Sequence, residues 1–488
     1  MNPLKKLFQQ TAIYGLATVL PRMLSFLLVP IYTEVMAPEK YGVVTIIYSW
    51  FAIFNVFLAY GMETAFFRFY NTSENKGSVV STSLICLLAS TLFFLAIGLL
   101  FQGGWATLLD VDVDYVKYLF LILSLDALTI IPFAWLRANG KPMKYALIKT
   151  VNVAIYLGLT IFFLLMLPSL GKGNPDGLLQ RMYIPNFEIS YILIANLVAS
   201  GVTLLIMLPL YIKIKYAFDG GLFKRMMDYA WPVLIAGIAF TINEVFDKIL
   251  LNELLPPDIS ENEVGKYAAC YKLGMFMTLF GTAFRLGIEP FFFSHAETKN
   301  PQKAYAQITN YFVVLGSIIL LAVVVFADVL KTLFIRNEAY WEAMTVVPLI
   351  VLASFFLGIY HNLSVWYKVT DKTRYGAFIS IVGAIITIGI NYVYIPKIGY
   401  MASAIATLLA YGTMMVLSYY FGRSRYPIPY NFRKILFYLG ISILFSALSF
   451  YVFDRNLYIG SVLLLIFLGL VYKLENDILR KVFLKRKN

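Results

Sequence analysis

Apolar residues recur in runs of about twenty along the whole chain, separated by short polar stretches. A run of that length lets one helix cross a bilayer, whereas a helix on a soluble core shows only an apolar stripe with a polar face behind it. Fourteen runs fall near residues 10–34, 42–67, 78–102, 115–136, 144–167, 189–212, 229–253, 267–294, 308–334, 343–367, 375–395, 399–421, 434–452 and 457–473. The pattern predicts an all-α integral membrane protein with about fourteen transmembrane helices.

Composition agrees: 60% of the 488 residues are hydrophobic and 14% are charged, too apolar for a solvated surface. The net charge of +13 would suit nucleic acid only if it formed a patch on a soluble face, and it does not. The Lys and Arg instead gather in loops on one side of the predicted membrane. Of the 40, 26 fall in the N-terminus, the even-numbered connections and the C-terminal tail, against 8 in the odd-numbered connections. Cytoplasmic loops retain positive charge, so both termini are expected in the cytoplasm and the chain in the cytoplasmic, or inner, membrane. Lys5 and Lys6 precede a first apolar run that continues past twenty residues without a small-residue cleavage site, which reads as a retained span.

The stretch Lys40–Asn71 aligns without gaps on Lys266–Glu297. Lys40, Tyr41, Phe54, Gly61, Glu63, Phe66 and Phe67 match Lys266, Tyr267, Phe280, Gly287, Glu289, Phe292 and Phe293. These segments enter the second and eighth spans. An offset of six spans preserves orientation, so the halves form a parallel repeat about an axis along the membrane normal, with a substrate site expected between them. The predicted division is 8–222, 223–424 and an additional helix pair at 433–475.

The N-terminal segment carries a resemblance. Leu20-Pro21-Arg22-Met23-Leu24-Ser25-Phe26-Leu27-Leu28-Val29-Pro30-Ile31-Tyr32-Thr33, followed by Ala37-Pro38-Glu39-Lys40-Tyr41-Gly42, resembles the start of the polysaccharide-biosynthesis flippases of O-antigen type. These belong to the multidrug/oligosaccharidyl-lipid/polysaccharide (MOP) exporter superfamily. The resemblance implies two six-helix lobes around a central cavity and a polyprenyl-diphosphate-linked glycan as cargo. It also implies a cargo-facing role for Arg22, which matches a basic position in the first span of lipid II flippases and their relatives. Other glycan-assembly membrane proteins and membrane lipids are the remaining expected partners.

Ionisable residues within the runs are costly, by about 2.5–3.5 kcal/mol at a helix centre, so they face a cavity or a partner. Arg22 and Arg285 sit deep, and a guanidinium fork suits phosphate oxygens. With Lys248 and Lys272 they form the predicted substrate-binding set, while Lys117 and Lys149 lie close enough to span ends to snorkel. Glu244, Asp247, Asp126, Glu63 and Glu289 are the candidates for ion coupling or gating. The spacing of Arg285 with Glu289, and of Glu244 with Lys248, allows intrahelical pairs, and Asp247 and Lys248 fall near the outer, wet end of the seventh span. Pro21, Pro30, Pro232 and Pro290 mark candidate hinges.

No cofactor or metal is expected. Cys86 and Cys270 lie in apolar runs, His295 and His361 are solitary, and Gly171-Lys172-Gly173-Asn174-Pro175-Asp176-Gly177 lacks the ending of a phosphate-binding loop. Three rival functions differ in their requirements. A lipid II flippase needs the same cationic cavity, a cation-coupled multidrug extruder needs carboxylates to dominate it, and a membrane glycan polymerase or ligase needs a large outer loop rich in acids, bases or metal ligands.

Overall fold

The computed structural model describes residues 23, 26–173, 177–294 and 300–484, and among these there is no β-strand. Eleven of the described helices are long and apolar enough to cross a membrane, from Pro38–Thr72 to Leu457–Asn476. The predicted seventh and eighth spans are also helical, at Gly220–Leu254 and Pro257–Ser294, and carry charged residues within the helix. The first predicted span lies largely outside the described residues and enters them as the helix Val29–Val35.

Local chemistry explains where these helices start. Pro38 occupies the first turn of the second span, where its missing N–H is no loss. Asn75 accepts from the Ser78 amide at 3.1 Å to start the third, and Asp219 accepts from the Leu222 amide at 2.9 Å to start the seventh.

The breaks are not where the prolines pointed. Pro232 and Pro290 lie within continuous helix, and Pro30 occupies the first turn of Val29–Val35, where proline is compatible. Pro21 is outside the described residues. The second span instead breaks at Tyr60 and Gly61, both left-handed (φ 30° and 71°). A side chain at Gly61 would place its Cβ 2.4 Å from the Ala230 carbonyl oxygen, so glycine is needed for both the turn and the close approach. The eighth span breaks at a 3₁₀ turn, Lys272–Gly274, while Gly287, aligned with Gly61, sits in uninterrupted helix. The two segments that match in sequence are therefore kinked at different depths.

The repeat is clear in the packing. The fourth and fifth spans both pack on the sixth, as the tenth and eleventh do on the twelfth. The first span reaches the fifth through the Tyr32–Tyr156 hydroxyl contact at 2.8 Å, and the seventh packs along the eleventh. The thirteenth and fourteenth helices lie against the ninth, outside this scheme. Their facing ends are joined by Glu475, buried between Lys434 and Tyr438.

Candidate functional site

Among the described residues, three charged groups lie within the membrane-crossing helices apart from the ion pairs near their ends. The first is in the seventh span, where Asp247 is 1% exposed and Lys248 8%. The Lys248 ammonium donates to both Asp247 oxygens at 2.8 and 3.0 Å, and the Tyr267 hydroxyl of the eighth span donates to Oδ2 at 2.8 Å. The ammonium also stands 4.1 Å from the Tyr271 ring centroid. Two expectations are corrected here. Asp247 is buried rather than wet, and Lys248 pairs with Asp247 while reaching only the backbone oxygen of Glu244, at 3.4 Å. A buried ammonium is costly without a buried counter-charge, and Glu244 is exposed. Lys272, in the 3₁₀ turn, lies within electrostatic reach of Lys248 and Glu244.

Asn243, next to Glu244, fastens this region to the eleventh and twelfth spans. It donates to the Ser380 carbonyl at 2.9 Å, accepts from the Thr387 hydroxyl at 3.0 Å, and its own carbonyl accepts from Tyr411 at 3.2 Å.

The second place is Arg285, half-buried in the eighth span, with its guanidinium 3.4 Å from His361 Nε2 of the tenth. Arginine has only donors, so this contact requires Nε2 to accept and the imidazole to be neutral, with its proton on Nδ1. Arg285 and Lys272 are thirteen residues apart, about 20 Å along the helix. The structure thus joins Lys248 with Lys272 and leaves Arg285 at a separate depth. Arg22 lies outside the described residues.

The third place is Asp126 in the fourth span, which accepts from Ser200 of the sixth at 2.7 Å. Lys149 of the fifth span is within its electrostatic reach and stands 4.2 Å from the Phe133 ring centroid. Lys149 therefore turns into the bundle instead of snorkelling. Lys117 rests beside Tyr118, at 5.1 Å.

Glu63 and Glu289, matched by the repeat, take matching partners. Glu63 pairs with Arg137 at the end of the fourth span at 2.8 Å, and Glu289 with Lys368 at the end of the tenth at 2.7 Å. The expected Glu289 pairing with Arg285 gives way to Lys368, which the tenth span delivers as it packs along the eighth. Each ion pair stays within its own half. Sequence reasoning placed Arg137 and Lys368 in loops and missed this role; their shared location, two spans after each repeated glutamate, was the available signal.

At the face opposite the basic loops, the two halves are in backbone contact. A Cβ on Gly42 would lie 1.9 Å from the Glu261 carbonyl oxygen, and one on Gly265 would lie 1.9 Å from that of Pro38. Around this contact Asn262 donates to Glu39 at 2.7 Å, Tyr340 donates to the Met36 carbonyl at 2.8 Å, Asn252 donates to Asp110 at 2.8 Å, and Arg336 pairs with Glu34. Burial, and then the carboxylates of Asp110 and Glu39, push the Glu261 carboxyl above its usual range. Among the described residues there is no grouping of three or more metal-ligating side chains.

Repeated halves of membrane-crossing helices, sealed against each other at one face and holding charge inside, define a multi-pass membrane transporter. Residues 7–285 match the family described as polysaccharide biosynthesis protein, and residues 232–393 match the MatE family. The first match covers more than half of the sequence, and the chain belongs to the polysaccharide biosynthesis protein family, among the flippases and transporters of the MOP superfamily.

Solved structures share the fold. A lipid II flippase, MurJ, in an inward closed conformation is 16% identical, with a TM-score of 0.71 over 96% of this chain and 100% of that one. An inward-facing multidrug resistance MATE family transporter is 13% identical, with a TM-score of 0.65 over 85% and 94%. A MOP superfamily transporter from Pyrococcus furiosus, described as having a binding pocket of reversed polarity, is 14% identical, with a TM-score of 0.60 over 86% and 95%. No curated protein matches the chain.

Proposed function

We propose that this transporter flips a polyprenyl-diphosphate-linked oligosaccharide, such as an O-antigen or capsule repeat unit, from the inner to the outer leaflet of the cytoplasmic membrane. Both termini face the cytoplasm in this reading. Residues 8–222 and 223–424 form the two lobes that rock against each other, with 433–475 as an added pair. The observation that supports it most is Arg285, a permanent cation held within a membrane-crossing helix by a neutral histidine. A group so placed suits a diphosphate that must leave water while its lipid tail stays in the bilayer. The inside-negative potential adds about 2.3 kcal/mol per charge per 100 mV to the outward movement of an anion.

The lipid II flippase remains the second reading, because the structural likeness to one spans nearly the whole chain and the headgroup chemistry is the same at the diphosphate. A cation-coupled multidrug extruder accords less well with Arg285, Lys272 and Lys248. A glycan polymerase or ligase is disfavoured because the families matched are transporters.

Binding distinguishes these. Thermal stabilisation of the detergent-solubilised protein by undecaprenyl diphosphate, undecaprenyl monophosphate and an organic cation is to be measured for wild type, Arg285→Lys and Arg285→Ala. The proposal expects the diphosphate to bind best and Arg285→Ala to weaken it about tenfold or more, as loss of a charge-assisted hydrogen bond of about 1.5–3 kcal/mol implies. Equal binding by all three proteins, or preference for the organic cation, would overturn it.

A further inference from the structure

The contact between Arg285 and His361 joins the eighth span to the tenth, about 12 Å inside the basic-side end of the tenth at Val369. Ala59 aligns with Arg285 in the repeat, so the first half has no arginine at that position. The half-buried His361 ring packs beside Tyr360 of its own helix and Phe240 of the seventh span, with ring centroids 5.4 and 6.4 Å away. The charged groups within its electrostatic reach are Arg285 and Lys368, and Lys368 is engaged by Glu289 at 2.7 Å. Among the described residues no charged group of the ninth or twelfth span, which also pack on the tenth, acts on the ring.

Charge counting gives this arrangement a consequence. A sugar joined to polyprenol through diphosphate carries two negative charges, one on each phosphorus. Arg285 can balance at most one of them, and an unbalanced charge inside a membrane-crossing bundle is costly. The imidazole beside Arg285 is neutral in this structure, because Nε2 accepts from the guanidinium. Imidazole is also the side chain whose charge changes most readily near neutral pH. A proton on Nε2 turns that atom from acceptor to donor, which ends its contact with Arg285 and aims both groups at one anion.

We infer that a polyprenyl-diphosphate headgroup and one proton bind here together, the headgroup to Arg285 and the proton to His361 Nε2. The inference rests on the lipid-diphosphate cargo proposed above. The proton is drawn from solvent as the headgroup arrives; an N–H bond forms on Nε2, and no bond of the cargo breaks. The empty site holds a neutral ring and the occupied site a charged one, so binding takes up a proton. Affinity therefore rises as pH falls, by up to about tenfold per pH unit.

Calorimetric titration of the detergent-solubilised full-length protein at pH 7, in two buffers of different ionisation enthalpy, counts the protons exchanged. The probes are undecaprenyl-diphosphate N-acetylglucosamine, with two charges, and undecaprenyl-phosphate glucose, a phosphodiester with one. Wild type should take up about one proton with the diphosphate and none with the monophosphate, and its affinity for the diphosphate should fall about tenfold from pH 6.5 to 7.5. His361→Gln keeps a neutral side chain that can accept from Arg285, and should bind with no proton uptake and a flat pH profile. Binding of the diphosphate without uptake, equal uptake with both lipids, or undiminished uptake in His361→Gln would each overturn the role of His361 and leave the cargo reading standing. The comparison of the two lipids on wild type decides the matter even if the variant fails to fold. Binding of neither lipid would overturn the cargo reading, and this inference with it.

Discussion

The glycine contact between the second and eighth spans offers the sharpest perturbation. Ordinary carbon–oxygen contacts lie at about 3.3–3.6 Å, whereas a Cβ at Gly265 would meet the Pro38 oxygen at 1.9 Å and its carbonyl carbon at 2.7 Å. The two backbones must therefore part by about 1.5 Å to admit one methyl group. No flexible side chain can give way, because the obstructing atoms are backbone. Overpacking of this kind costs about 1–3 kcal/mol, and the cost falls only on the state in which this face is closed. Gly42→Ala or Gly265→Ala should thus shift the equilibrium toward opening at this face by about 5–150-fold.

Spin labels at Ala37→Cys and Ile259→Cys, in a background lacking Cys86 and Cys270, would read the separation by pulsed electron–electron resonance. Both label positions are exposed. Each glycine variant should move population to a longer distance, and the double variant should gain less than the sum because both changes open one seam. Gly103→Ala, with no atom within 4 Å of its added Cβ, is the control and should leave the distribution unchanged. Unaltered distances in both seam variants would refute the reasoning.

Three further outcomes follow from the same geometry. Glu261 has a folded-state pKa raised by burial and by Asp110 and Glu39, so its contribution to the seam is fully present below the ordinary carboxylate range and is lost as pH rises through the raised value; the same spin-label pair should report more closed population at pH 5 than at pH 8, and less pH dependence in Glu261→Gln. Asp247→Leu should lower stability by about 3–5 kcal/mol, because it strands the Lys248 ammonium, while Asp247→Leu with Lys248→Met should recover most of the loss in thermal unfolding. The exposed Glu63–Arg137 pair should contribute no more than about 1 kcal/mol to stability; a large fall in thermal midpoint for Glu63→Gln would contradict its placement at the protein surface.

Much of the architecture was legible because the bilayer imposes a simple rule on sequence: helix length and apolar content are fixed by its thickness. The seventh and eighth spans are instructive, since the charged residues visible in their runs furnish the buried Asp247–Lys248 pair and Arg285. Repetition of Glu63 at Glu289 was readable, but their partners Arg137 and Lys368 come from other spans and needed the packing. Intrahelical spacing misled for Lys248 and Arg285 alike. An i, i+4 relation states which side chains can meet, and burial together with neighbouring helices decides which do. Gly42 and Gly265 gave no sign in the sequence, because a close backbone approach between segments 223 residues apart has no local signature.

The central claim, that this transporter moves a lipid-linked diphosphate glycan, is tested most directly in proteoliposomes. Fluorescent undecaprenyl-diphosphate oligosaccharide is loaded in one leaflet, and its appearance in the other is followed over time for wild type and Arg285→Ala, with equal folding of the two confirmed. The account predicts protein-dependent flipping that Arg285→Ala slows at least tenfold, in line with a lost charge-assisted contact of about 1.5–3 kcal/mol. Failure of wild type to flip any lipid-diphosphate glycan, together with proton- or sodium-driven efflux of organic cations, would contradict it.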